Sequence, residues 1–229
     1  MPSSRRFLAA ATLMLCVAAA GCSDLDDPGQ GLTRNDLVAD LAAQMTAAAD
    51  LTYEASYLLS GGEKATVAQT QKPARTAYVY PGGKITVTAD ATTKCQMAKT
   101  TTCTMTAPPT AASPAPATVF AGAGETGLVA PATVLALLNA AVLDNDVTVD
   151  QHDTTIAGRH ATCVQLLGVD DAAARDFTTC VTNEGVLGSF SGVLNQTRMD
   201  VAMTHYSEQV EEAVFALPAA AKLVDRRGR

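Results

Sequence analysis

The chain has 229 residues, with 16 Lys and Arg against 23 Asp and Glu, three His, six Cys and no Trp. A formal net charge of −7 is a poor match for nucleic acid or anionic lipid headgroups, and the length suits one domain with a real core. Aromatic residues are only 4%, so that core must be built from Val, Leu, Ile and Ala.

The first predicted element is an export signal over 1–21. Arg5 and Arg6 form a positive n-region and Phe7 to Ala20 an apolar h-region. Ala19-Ala20-Gly21-Cys22 then resembles a bacterial lipobox, where signal peptidase II cuts before a diacylglyceryl-modified Cys; Ala19 departs from the commoner Leu. A plain secretory cut after Ala20 also fits the small residues, but cysteine parity separates the two. Cys16 leaves with the signal in either case. A plain cut leaves five cysteines, an odd number for an exported chain, whereas lipidation consumes Cys22 and leaves four. The apolar run is short of the ~20 residues a membrane-spanning helix needs. The expectation is a lipoprotein anchored to the cell membrane through Cys22, on its extracytoplasmic face. Without Arg5 and Arg6 the 16 basic residues become 14 against 23 acidic, a net charge of −9.

Residues 22–32 are acidic and rich in Pro and Gly, a flexible tether. One domain is expected over 33–225. Thr33 or Asn35 offers an N-cap for a helix from Arg34 to Asp50, with Leu37, Leu41, Met45 and Ala48 on one apolar face. From Leu51 the period changes from 3.6 to 2. Strands are predicted over Leu51 to Leu58, Ala65 to Thr70, Arg75 to Tyr80 and Lys84 to Ala89, with turns at Gly61-Gly62 and Pro81-Gly82-Gly83. Cys95 and Cys103 fall on the next pair of short strands. Ala107 to Thr118 carries four prolines and reads as a surface loop.

A second helix is predicted from Pro131 to Leu143. Val134, Leu135, Leu138 and Val142 form its stripe, and its low polarity predicts burial on most sides. Strands return over Val147 to Ala157, His160 to Leu167, Phe177 to Thr182, Gly185 to Phe190 and Arg198 to Tyr206, the first two joined by a turn at Gly158-Arg159. In the last strand Met199, Val201, Met203 and His205 share one face. Val214 to Pro218 reads as a short extended close, and 226–229 as a disordered basic tail. This order is an α+β plan: a curved antiparallel sheet wrapped over two or more helices.

No catalytic constellation is visible. His152, His160 and His205 are far apart, and no His or Cys spacing fits zinc. Gly122 to Gly127 lacks the Lys of a phosphate loop, and Gly188 to Gly192 lacks the order of a nucleophile elbow. The expectation is therefore no enzyme, no metal and no cofactor. Cys95–Cys103 and Cys163–Cys180 are the expected disulfides, because each pair belongs to one hairpin whose strands lie ~4.5–5.5 Å apart.

The order of elements resembles the actinobacterial lipoproteins of the LolA-like fold, the LppX/LprG-like group. The resemblance is carried by the lipobox and tether, the first helix, Tyr78-Val79-Tyr80, the second helix, Thr155 to Cys163 and Phe177 to Val186. It implies a half-barrel over helices with a cavity that carries acyl chains. Any such cavity is expected near Leu135, Leu138, Val142, Val201 and Met203; Ala-rich packing can equally close the space. The function implied is binding or carriage of a lipid, glycolipid or other amphipathic molecule at the cell envelope. The alternative is an anchored module, without a cavity, for an envelope protein partner.

Overall fold

The structure, a computed structural model, describes residues 34–109 and 123–228. The expected signal peptide, the tether, Cys22 and most of the Pro-rich loop lie outside the described residues.

Among the described residues, two longer helices and twelve strands follow in chain order. Helix α1 spans Arg34–Ala47 and continues as a 3-10 turn over Ala48–Asp50. Strands β1 (Tyr53–Leu59), β2 (Lys64–Gln71), β3 (Ala74–Tyr80), β4 (Gly83–Thr88), β5 (Thr92–Gln96) and β6 (Thr102–Thr106) form the first half of the sheet. Helix α2 spans Pro131–Leu143. Strands β7 (Thr148–Ile156), β8 (Arg159–Leu167), β9 (Phe177–Thr182), β10 (Leu187–Leu194) and β11 (Thr197–Ser207) form the second half, and β12 (Lys222–Asp225) closes the chain.

The strands make one open sheet in the order β12-β6-β5-β4-β3-β2-β1-β11-β10-β9-β8-β7. Each half is a meander of hairpins, and the β1–β11 pair joins the halves. The fold class is the expected one, a large curved and mostly antiparallel sheet around two helices. α1 packs on α2, and one core joins both helices to the inner face of the sheet. Val38, Leu41, Val134 and Leu138 meet Ala55, Tyr57, Val67, Ile85, Leu166 and Phe190 there.

Four local features differ from the sequence reading. α2 is not buried on most sides: Ala132, Ala136, Asn139 and Leu143 are exposed, while Val134, Leu137, Leu138 and Ala141 are buried. Alanine on the exposed face hid its amphipathicity. The β7–β8 turn is Ala157-Gly158, with φ of 50° and 78°, and Arg159 opens β8. Two successive positive φ values mark the two-residue turn whose twist suits a hairpin. β11 is irregular: Ser56 faces His205 but Tyr57 faces Met203, so Thr204 is an extra residue. This bulge turns His205 outward and puts Tyr206 on the inner face, with its ring 6.1 Å from Tyr53.

The fourth difference is the tail. It is not a short extended close but a strap across the outer face of β1 to β6. Glu211 N–H donates to Glu54 Oε2 at 3.2 Å. Arg75 binds both Glu212 oxygens, at 2.6 and 2.8 Å, and lies 4.2 Å above the Phe215 ring. Lys84 Nζ donates to the Ala216 carbonyl. β12 then pairs parallel with β6. Arg226 N–H donates to the Met105 carbonyl and Arg227 pairs with Asp225, tying down the start of the basic end.

Cys95 is bonded to Cys103 and Cys163 to Cys180. In each pair the two residues stand directly opposite on neighbouring strands. All four are buried. Such disulfides mark an extracytoplasmic protein. Among the described residues no helix is long and apolar enough to cross a membrane.

Candidate apolar cleft between the helices and the sheet

The C-terminal end of α1 is the first wall of the site. Its last carbonyls have no partner within the helix, and two glutamines from β2 supply one. Gln69 Nε2 donates to the carbonyls of Ala48, Ala49 and Leu51, at 3.0, 2.8 and 2.8 Å. Gln71 Nε2 donates to those of Ala49 and Leu51, at 2.7 and 2.9 Å. This clamp fixes where the helix ends above the sheet.

The β9–β10 turn is the second wall. Gly185 has φ of +84°, and a Cβ there would stand 2.0 Å from the Gln44 carbonyl oxygen. Only glycine permits both the left-handed backbone and that approach to α1. The third wall is the first turn of α2, where Pro131 starts the helix.

Between these walls lies a cleft of about 210 Å³. Its floor is Tyr53 and Tyr78, with Gln69 beside them; Met45, Ala48 and Ala49 of the α1 end, Pro131, Ala132 and Leu135 of α2, and Gly185 to Leu187 surround it. No lining residue carries a charge. Burial pushes the Tyr53 hydroxyl well above its ordinary range, with Tyr78 and Tyr206 adding to the effect. Burial pushes Tyr78 up to about 12. Both phenols are therefore neutral at physiological pH, and the cleft offers an apolar wall with a few hydroxyl and amide groups.

A charged group of one arginine and two glutamates stands beside it. Arg159 lies 4.3 Å above the Tyr206 ring and reaches Glu184 and Glu208, each at 3.2 Å. Tyr206 in turn stacks on Tyr53. Burial raises the Tyr206 hydroxyl, with Glu184 next in effect.

Of the residues expected around a cavity, Leu135 lines this cleft. Leu138, Val201 and Met203 are buried in the main core, and Val142 packs against it half-buried. Val201 also borders an outer hollow of about 320 Å³ with Leu58, Ser60 and Asp200. The structure does not gather the five around one space. Sequence reasoning missed Tyr53, Tyr78, Gln69 and Gly185. One signal was present: all five tyrosines of this aromatic-poor chain fall on β1, β3 and β11.

The three histidines are exposed at separate sheet positions. Among the described residues no three His, Cys, Asp or Glu side chains gather as metal ligands would.

No family model matches the chain, and no curated protein matches it. Three solved structures have a similar course. An uncharacterized conserved protein from Thermus thermophilus aligns with 83% of this chain and 99% of its own, at 7% identity and a TM-score of 0.49. MucB aligns with 82% of this chain at 11% identity and a TM-score of 0.46. The complex of MucB with MucA(peri) aligns at 9% identity and a TM-score of 0.45. The chain spans 65% and 61% of the length of those two MucB chains.

Proposed function

We propose that this chain is an exported lipoprotein, anchored through Cys22, that binds or carries a lipid or other amphipathic molecule at the cell envelope. On this reading it is a LolA-like carrier and not an enzyme. The observation that supports it best is the uncharged cleft walled by α1, α2 and the Tyr53–Tyr78 floor. A volume of about 210 Å³ is below the ~300–1,000 Å³ that encloses a whole drug-sized ligand. The cleft therefore takes one apolar limb of a larger molecule and leaves the polar remainder outside. Each methylene moved from water into such a wall contributes ~0.8 kcal/mol. No acid, base or metal is needed for that chemistry.

The test is a titration of the purified protein with a fluorescent long-chain fatty acid, beside Ala132→Trp and Leu135→Trp. Both substitutions fill the cleft from α2. The expected result is saturable binding in the parent protein and at least a tenfold loss in both variants. Equal binding in all three would end the proposal for this site.

A further inference from the structure

The two edges of the sheet are unlike. β12 is four residues long, whereas β7 runs for nine, Thr148 to Ile156, with no proline and no lysine. Natural edges are usually blunted by shortness, proline, lysine or a bulge. β7 is long and has no proline, lysine or bulge; its charged side chains are Asp150 and Asp153, and its register with β8 is regular from end to end.

The direction of its backbone groups follows from the hairpin. A two-residue turn closes on a hydrogen-bonded pair, here Ile156 and Arg159. The neighbouring His160 carbonyl instead accepts from Asn183 N–H on the β9 side, as alternation requires. Residues 148, 150, 152, 154 and 156 of β7 therefore bond to β8. Val149, Gln151, Asp153 and Thr155 turn N–H and C=O outward. Gln151, Asp153 and Thr155 are also exposed as residues, so a row of main-chain donors and acceptors is open to solvent.

The charge on this edge selects what can pair with it. Asp150 and Asp153 are exposed, and neither is in an ion pair among the described residues. Being an odd number of residues apart, they project from opposite faces of the strand. Asp153 Oδ1 accepts from Thr162 at 2.9 Å, which holds the carboxylate beside the edge. A second copy would bring two more aspartates against these. A strand with Lys or Arg on both faces would instead meet a carboxylate on each, and cross-strand opposite charges are favourable.

We propose that β7 is a docking edge for an extended basic segment of a partner protein, which adds to the sheet as a thirteenth strand. Main-chain bonds to Gln151, Asp153 and Thr155 hold the segment, and Asp150 and Asp153 select its charge. This site is separate from the cleft and does not depend on carriage.

The probe is a fluorescein-labelled nonapeptide of three Lys-Thr-Val repeats, whose lysines fall on both faces of an extended strand, beside the same peptide with Glu for Lys. Binding to the purified protein is read by anisotropy, and amide hydrogen exchange is read residue by residue. The expected result is binding of the Lys peptide and not the Glu peptide, with new protection at Gln151, Asp153 and Thr155. Asp150→Lys/Asp153→Lys should weaken binding at least tenfold. Gln151→Pro should do the same, since it removes an outward N–H and spares the β8 ladder. No binding of the Lys peptide, or binding without new protection at those amides, would overturn the proposal, whether or not the proline variant folds. So would a concentration-dependent dimer of the protein alone that is lost in Asp153→Lys.

Discussion

Gly185→Ala probes the joint that shapes the cleft. Two costs add at this position. An L-residue forced to φ of +84° loses ~1–2 kcal/mol. A Cβ placed 2.0 Å from the Gln44 carbonyl oxygen and 3.2 Å from Ala48 Cβ must push the turn away from α1, and such overpacking costs ~1–3 kcal/mol. The sum is about 2–5 kcal/mol. Gly158→Ala supplies the control, because Gly158 has φ of +78° and nothing within 4 Å of a new Cβ. It should lose only the first ~1–2 kcal/mol. Urea unfolding followed by far-UV circular dichroism gives both values, and at this size each kcal/mol also lowers Tm by about 2–4 °C. Equal losses in the two variants would refute the close packing of the β9–β10 turn on α1, and with it the second wall of the cleft.

Three further predictions follow from the buried groups. The folded protein holds Tyr53, Tyr57 and Tyr78 above the ordinary phenol range by burial. Both states are neutral at these groups below pH ~10; above it the unfolded chain releases protons that the folded chain keeps, so stability should fall as pH rises from there. Tyrosinate absorbance, undisturbed in a chain without Trp, should show a fast-titrating fraction and a second fraction that appears only with unfolding; a single early titration of all five would contradict this. Tyr57→Phe removes the hydroxyl that donates to the buried Leu187 carbonyl at 2.9 Å and should cost about 1–3 kcal/mol in the same urea assay. Reducing both disulfides should lower stability by about 2–4 kcal/mol each while the far-UV spectrum persists at low temperature, and outright loss of that spectrum would show that the hairpins depend on the bonds.

Local signals carried much of the fold. Pro131 marked the start of α2, and glycine turns bounded the hairpins. Both disulfides followed from hairpin assignment, because a cross-strand bond needs only adjacent strands. What failed was non-local. β12 is four ordinary residues, Lys222 to Asp225, whose partner β6 lies more than a hundred positions earlier, so no periodicity announces it. The bulge at Thr204 moved His205 outward although strict alternation placed it inward. The cleft is assembled from the end of α1, the β1–β3 floor, a single turn and one end of α2. Of the apolar stripe of α2, Leu135 borders the cleft while Leu138 turns into the packed core. Five tyrosines on three strands were the nearest signal to the site, and they were legible only once those strands were known to be neighbours.

The central claim is that the cleft holds an apolar limb of an envelope molecule. Native mass spectrometry of the full chain, purified from the membranes of its own host, tests it most directly. The account predicts an adduct beyond the covalent anchor that organic solvent releases as a lipid or other amphipathic species, present in the parent protein and absent from Leu135→Trp. A parent protein of bare mass, or an adduct carried equally by Leu135→Trp, would contradict it.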